Sequence, residues 1–241
     1  MKVEILYPEF CNLYGDLGNV LFLEKTLKEE AEFVYTRILQ TPKFLTEDID
    51  LVYMGSLSEK AQKLVLEKLL PYKDKFKEKI DNGQAILVTG NAFELFGKYI
   101  QEENGTKIEC LDIFDTYATQ KMMKRWNAFC LADYEDIKLV GFKSQFTESF
   151  PIENADIPFK AKVLRGSGIS KESKDEMVRI NNFYATYLLG PLLPVNPYFT
   201  KKLLTSLGFN KELAFEDVSI KAYERRLDDF INPEKKIDEL S

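Results

Sequence analysis

The sequence predicts a three-layer α/β fold, with a mostly parallel sheet covered by helices on both faces and an antiparallel extension at one edge. Three observations carry this. Over residues 1–97, short apolar runs alternate with helical patterns, the mark of βαβ units and a parallel sheet. Between 106 and 165 several short β-type runs follow one another, which reads as an antiparallel extension or sheet edge. Two strand-to-loop junctions, at Thr89-Gly90-Asn91 and at Leu189-Gly190-Pro191, come directly after predicted strands. In a doubly wound sheet, junctions of this kind lie at the carboxyl ends of strands, where sites form.

Val3–Leu6 is a short apolar run and reads as the first strand. After the turn-rich Asn12-Leu13-Tyr14-Gly15-Asp16, residues 18–31 read as an amphipathic helix with Val20, Leu21, Leu23 and Leu27 on one face. Phe33–Ile38 alternates like a strand, and Asp50–Gly55 is a short buried strand that ends in glycine. Residues 58–81 form a long helical pattern that Pro71 breaks, so two helices are expected, the second ended by Asn82-Gly83. Gln84–Val88 is the next strand, and Thr89-Gly90-Asn91 opens a helix running to Gly97. Further β-type runs fall at Leu111–Tyr117, Trp126–Leu131, Lys138–Phe142, Lys160–Leu164 and Asn182–Leu188. Helices over 196–207 and 211–230 close the pattern. A single domain is expected over 1–231, with a charged, frayed tail over 232–241.

Composition narrows the function. The chain of 241 residues has no histidine, 45% apolar residues and a formal net charge of -6. An acidic chain without clustered Lys and Arg is a poor nucleic-acid binder. The run Lys73–Lys79 is interleaved with Asp74 and Glu78 and reads as a solvated helix face. No stretch approaches the ~20 apolar residues a membrane helix needs, and the charged N-terminus does not read as a signal peptide. A cytoplasmic protein is expected. Cys11, Cys110 and Cys130 lack metal or redox spacing and fit reduced, buried thiols. Asp112, Asp115 and Asp133 are scattered carboxylates without metal-type spacing, so neither a metal nor another cofactor is expected. Without histidine, the chain cannot run Ser-His-Asp or Cys-His chemistry from its own residues.

Three segments carry a family resemblance: Asn12-Leu13-Tyr14-Gly15-Asp16-Leu17-Gly18-Asn19, Thr89-Gly90-Asn91-Ala92-Phe93-Glu94-Leu95-Phe96-Gly97, and Thr186-Tyr187-Leu188-Leu189-Gly190-Pro191-Leu192-Leu193-Pro194-Val195-Asn196-Pro197. They resemble the N-L-Y-x-D-x-G-N, C-G-G-[YF]-Q-x-L-G and T-Y-[LI]-H-G-P-x-L-P-x-N-P segments of class I glutamine amidotransferases of the cobyric acid synthase type. Within that family they are most like the glutaminase subunits of lipid II isoglutaminyl synthases. The order and spacing of the segments agree from residue 1 to about 205. The resemblance implies a flavodoxin- or Rossmann-like amidotransferase fold, a role in peptidoglycan or cobalamin synthesis, and a Mur ligase-like, ATP-dependent partner subunit.

The same comparison locates what has changed. The elbow segment is one residue longer than the family's, which puts Thr89 at the nucleophile position, and Leu189 stands at the histidine position. The family's Asn-His pair after a Gly-Phe strand is also missing, because Lys143-Ser144 follow Gly141-Phe142. The resemblance makes Gly55 and Gly90 the candidate oxyanion-hole residues and Arg125 a candidate for binding the glutamine carboxylate. A threonine hydroxyl needs a general base, and leucine cannot supply one. A catalytically silent binding or regulatory subunit is therefore expected. Two other readings stay open. One is altered chemistry through Thr89, with Glu94 as the nearby base. The other is a sensor that holds glutamine or another amino acid at Gly55, Gly90 and Arg125. Read without the resemblance, Thr89 is a helix N-cap and Leu189 a packed apolar side chain.

Overall fold

The apolar run at the start of the chain forms β1 (Lys2–Leu6), which lies between two parallel neighbours, β2 (Glu32–Thr36) and β3 (Leu51–Met54). The computed structural model describes residues 1–235. Next to β3, in parallel, comes β4 (Ile86–Thr89), and next to β4, again in parallel, β13 (Phe183–Thr186). Four antiparallel strands extend this sheet: β12 (Asp175–Ile180), β11 (Phe159–Gly166), β8 (Trp126–Tyr134) and β9 (Ile137–Gln145).

Alternation along the parallel strands divides the core in two, because successive side chains point to opposite faces. Val52, Met54, Ile86 and Val88 pack on one side with Leu66 and Leu69 of α2 (Glu59–Leu69) and Phe76 and Ile80 of α3 (Lys73–Asp81). Leu51, Tyr53 and Leu87 pack on the other with Val20, Leu23 and Leu27 of α1 (Leu17–Leu27). Leu192 of α4 (Leu192–Val195) and Phe199 of α5 (Pro197–Ser206) join that second side. Pro71 lies in a 3₁₀ turn over Leu70–Tyr72 that separates α2 from α3, as expected of a ring that cannot donate to a helix. Ser58 caps α2 by accepting the Ala61 N–H at 3.2 Å.

The middle of the chain departs from expectation. Only β8, β9, β11 and β12 extend the main sheet; β5 (Tyr99–Gln101), β6 (Lys107–Glu109), β7 (Thr116–Gln120) and β10 (Thr147–Pro151) form a separate four-stranded sheet. The strand expected over Leu111–Tyr117 begins only at Thr116. Its apolar residues Leu111 and Ile113 instead wrap the elbow, with their N–H groups on the Leu95 and Phe96 carbonyls at 2.9 and 2.8 Å. The helix expected to open at Thr89-Gly90-Asn91 and run to Gly97 is a 3₁₀ segment over Gly90–Phe96. The strand expected to reach Leu188 stops at Thr186. The last helix, α6 (Glu216–Ile231), starts later than position 211, because Phe215 has a left-handed φ of 54°. The expected frayed tail lies partly outside the described residues; Asn232 and Lys235 are held through their carbonyls by Arg165.

Candidate functional site

The two junctions meet at the carboxyl ends of β4 and β13, which pair directly through Thr89 and Thr186. The 3₁₀ turn at Leu13–Gly15 and the start of α1 close over them. Asp16 stands at the N-cap position of α1 but makes no capping hydrogen bond. Its carboxylate turns inward instead. Oδ2 accepts the Ser56 N–H at 2.6 Å and the Thr89 hydroxyl at 2.8 Å, and Oδ1 accepts Asn19 Nδ2 at 3.1 Å. Asn19 also donates to the Tyr53 hydroxyl at 2.8 Å. Tyr53 and Thr89 lie 2.9 Å apart through their oxygens. A hydroxyl has one proton; with that of Thr89 given to Asp16, Tyr53 is the donor in this contact.

Thr89 is thus fully enclosed, with 0% exposure, and its hydroxyl is occupied on both sides. Burial pushes the Asp16 carboxyl above its usual range, opposed by the hydrogen bonds from Ser56, Thr89 and Asn19. Thr89 makes no capping bond to the segment that follows it, so the N-cap expectation fails because the hydroxyl is committed to Asp16.

The apex of the turn lies one residue later than expected. Thr89 is extended, at φ -123° and ψ 154°, whereas Gly90 has φ +62°. Gly90 is also tightly enclosed. A Cβ on it would stand 2.5 Å from Ser56 Cβ and 2.9 Å from Leu189 Cδ2. Gly55 is equally close to its surroundings, since a Cβ there would meet the Cys11 carbonyl at 2.6 Å and Asp16 Oδ2 at 3.1 Å. The structure therefore brings the Gly55-Ser56 backbone, Gly90 and Leu189 together. The N–H aimed at a negative charge here is that of Ser56, and the charge is the Asp16 side chain.

Leu189 is 2% exposed and is held by paired backbone hydrogen bonds with Phe142, at 2.9 and 3.1 Å. The loop around it is anchored on both sides. Glu176 Oε1 accepts the Thr186 hydroxyl at 2.7 Å and the Tyr187 N–H at 2.9 Å. Lys143, the first residue of the Lys143-Ser144 pair that replaces the family's Asn-His, forms a fully buried ion pair with Glu176 and donates to the Gly168 carbonyl at 2.6 Å. Asn19 Oδ1 accepts the Leu193 N–H at 2.8 Å, and Asn196 bridges to both backbone groups of Val140 at 2.8 and 2.9 Å.

Glu94 belongs to a different network. It is buried and accepts from the Thr147 hydroxyl, from Gln62 Nε2 at 2.9 Å and from the Tyr187 hydroxyl at 3.1 Å. Burial pushes its carboxyl up to about 7, against those hydrogen bonds. Among the described residues no hydrogen bond joins it to Thr89; the carboxylate on Thr89 is Asp16. Arg125 is exposed at the rim. It donates to Ser144 Oγ at 3.2 Å and lies over the Phe146 and Tyr14 rings, at 4.3 and 5.6 Å from their centroids. The three thiols are buried, and burial raises all of them; that of Cys130 reaches about 12. Among the described residues no group of three His, Cys, Asp or Glu side chains is placed to hold a metal ion. Sequence reasoning missed the Asp16–Thr89–Tyr53 cluster and the Lys143–Glu176 pair. Asp16 and Asn19 lay inside the first motif and so carried a signal; Lys143 and Glu176 carried none.

Comparison with known proteins agrees with this architecture. Two glutaminase subunits described as "Lipid II isoglutaminyl synthase (glutamine-hydrolyzing) subunit GatD" are similar to the chain. The one from Staphylococcus aureus is 28% identical over 210 residues, 87% of this chain and 85% of the relative. The one from Streptococcus pneumoniae is 25% identical over 227 residues, 93% of this chain and 86% of the relative. Among solved structures, a glutamine amidotransferase superposes with a TM-score of 0.56 at 13% identity, covering 86% of this chain and 99% of its own. A likeness at that identity speaks to the fold alone. The CobB/CobQ-like glutamine amidotransferase domain matches residues 2–225, and the chain belongs to that family.

Proposed function

We propose that this chain is a glutamine amidotransferase-like subunit that does not hydrolyse glutamine. It acts in the cytoplasm as a binding or regulatory partner of a Mur ligase-like, ATP-dependent synthetase. The observation that carries this is Leu189, a buried apolar side chain packed against Gly90 at the meeting point of the two junctions. An amidotransferase of this fold needs a thiolate and a proton carrier there. The chain has no histidine to offer, and its three thiols are buried and held protonated. The partner class follows from relatives that are named as subunits of a lipid II isoglutaminyl synthase.

One observation favours a second reading, altered chemistry through Thr89: its hydroxyl already donates to a carboxylate at 2.8 Å, the arrangement of a nucleophile and its base. Against it stands enclosure, since both groups are sealed from water. A sensor that binds glutamine or another amino acid at Gly55, Gly90 and Arg125 meets a further obstacle, because Asp16 already accepts the Ser56 N–H.

The test is glutamate release from glutamine by the purified protein, alone and with any ligase that co-purifies. No release, together with co-purification of an ATP-binding ligase, supports the proposal. Release that disappears on replacing Thr89 would transfer it to the second reading. A strictly isolated monomer would remove the partner.

A further inference from the structure

Leu189 faces position 90, not position 89. Alternation along β4 sends the Thr89 side chain into the α1 layer beside Tyr53, where Asp16 holds it. Gly90 follows as the apex, with φ +62°. A nucleophile elbow carries its reactive side chain on such a strained strand-to-helix turn. The place a side chain at 90 would occupy is already filled, by Ser56 Cβ at 2.5 Å and Leu189 Cδ2 at 2.9 Å. Both neighbours are held in place. Ser56 is fixed through its N–H on Asp16 at 2.6 Å, its hydroxyl on the Leu13 carbonyl at 2.7 Å and its own carbonyl, which accepts the Leu13 N–H at 3.0 Å. The Leu189 backbone is fixed by its two bonds to Phe142, and its side chain, 2% exposed, is enclosed by the surrounding core.

We infer that Ser56, Gly90 and Leu189 form a three-part steric lock, and that position 90 is the reactive position this lock has closed. This inference rests on the reading that the chain has lost glutamine hydrolysis. It adds that the loss is one of volume as well as of functional groups. A thiol at 90 requires Ser56 and Leu189 to change with it. A thiol at 89 stays in the α1 layer whatever residue stands at 189.

Two measurements test this. The first is a stability cycle: Gly90→Ala in the native background, in Ser56→Gly, in Leu189→Ala and in both together, followed by thermal unfolding. The left-handed backbone of residue 90 burdens all four equally, so differences between them report the contacts. The fall in Tm is expected to shrink in each single background and to be smallest in the double one. Gly90→Ala that folds only in the double background gives the same answer. An equal fall in all four, or failure to fold in all four, overturns the lock.

The second compares Gly90→Cys/Ser56→Gly/Leu189→His with Thr89→Cys/Leu189→His, by ultraviolet thiolate absorbance and iodoacetamide labelling against pH. The thiol at 90 is expected to ionise near neutral pH and to label at least tenfold faster at pH 7. The reverse order overturns the assignment. If either cysteine variant is unfolded by circular dichroism, the alanine cycle decides alone. Glutamate release by the unmodified protein would sink the underlying reading, and it is a separate result from either comparison.

Discussion

Glu94→Gln offers a sharp test of the buried network behind the elbow. Glutamine keeps the size of the side chain and removes its proton equilibrium. In the unfolded chain a glutamate ionises near its ordinary value of 4.5, and in the folded protein near 7. Between those values the native state holds a proton that the unfolded state has released, so stability falls as pH rises. Below about 4.5 both states are neutral at this position, and above about 7 both are ionised. At about 1.36 kcal/mol per pH unit, the interval from 4.5 to about 7 corresponds to about 3 kcal/mol. Asp16, whose carboxyl is also raised by burial, titrates in both proteins and cancels in their difference. Urea denaturation at half-unit steps from pH 4.5 to 8 reads the effect. The variant gains on the native protein by about 3 kcal/mol across that range, whatever fixed offset the refitted Gln62 contact introduces. Parallel profiles, or a native protein that gains on the variant as pH rises, would refute the placement of Glu94 as a proton-holding acid.

Thr89→Val removes the donor to Asp16 and the acceptor for Tyr53; chemical denaturation should show a loss of about 1.5–3 kcal/mol, with glutamate release unchanged. Lys143→Met strands Glu176 in a fully buried position, at a cost of about 3–5 kcal/mol. Adding Glu176→Gln should recover part of that loss in a double-mutant cycle. Among the described residues the buried Tyr7 hydroxyl has no hydrogen-bond partner, so Tyr7→Phe should unfold at higher denaturant, by about 1 kcal/mol; a destabilised variant would reveal a partner for that oxygen.

The parallel half of the sheet was readable because its inner strands β3 and β4 are short apolar runs buried on both faces, and its edge strand β2 alternates, between amphipathic helices. Failures came where side chains or tight turns redirect the backbone. The segment Thr89-Gly90-Asn91 reads as the opening of a helix, and Asn91 is the residue that prevents it. Its side chain instead bonds both backbone groups of Leu57, at 2.9 and 2.6 Å, which competes with regular helix formation. Leu111, Ile113 and Phe114 have strand composition, but a left-handed Asp112 at φ 55° bends the segment onto the elbow. β12 escaped notice because Glu176, a charged residue at a fully buried position, hides its alternation. The meeting of the two junctions was visible from topology. That Leu189 contacts position 90 and not Thr89 was not, since a one-residue step at the end of a strand sends the side chain to the other face.

The motifs that identify the family act, in this chain, as anchors. Asn19 ties α1 to the loop after β13 through the Leu193 N–H. Gly18 is so close to Pro191 that a Cβ would stand 2.6 Å from its Cγ. Thr186 and Tyr187 fasten the same loop to Glu176, and Asn196 fastens its far end to Val140. None of these contacts needs a thiol or an imidazole. They hold the two junctions against each other, and that role belongs to the scaffold. Resemblance across the whole chain therefore speaks to the scaffold, whereas the proposed loss of activity rests on the place where Ser56, Gly90 and Leu189 meet. On that proposal, a relative with the same anchors and an open position 90 would share this fold and differ in function.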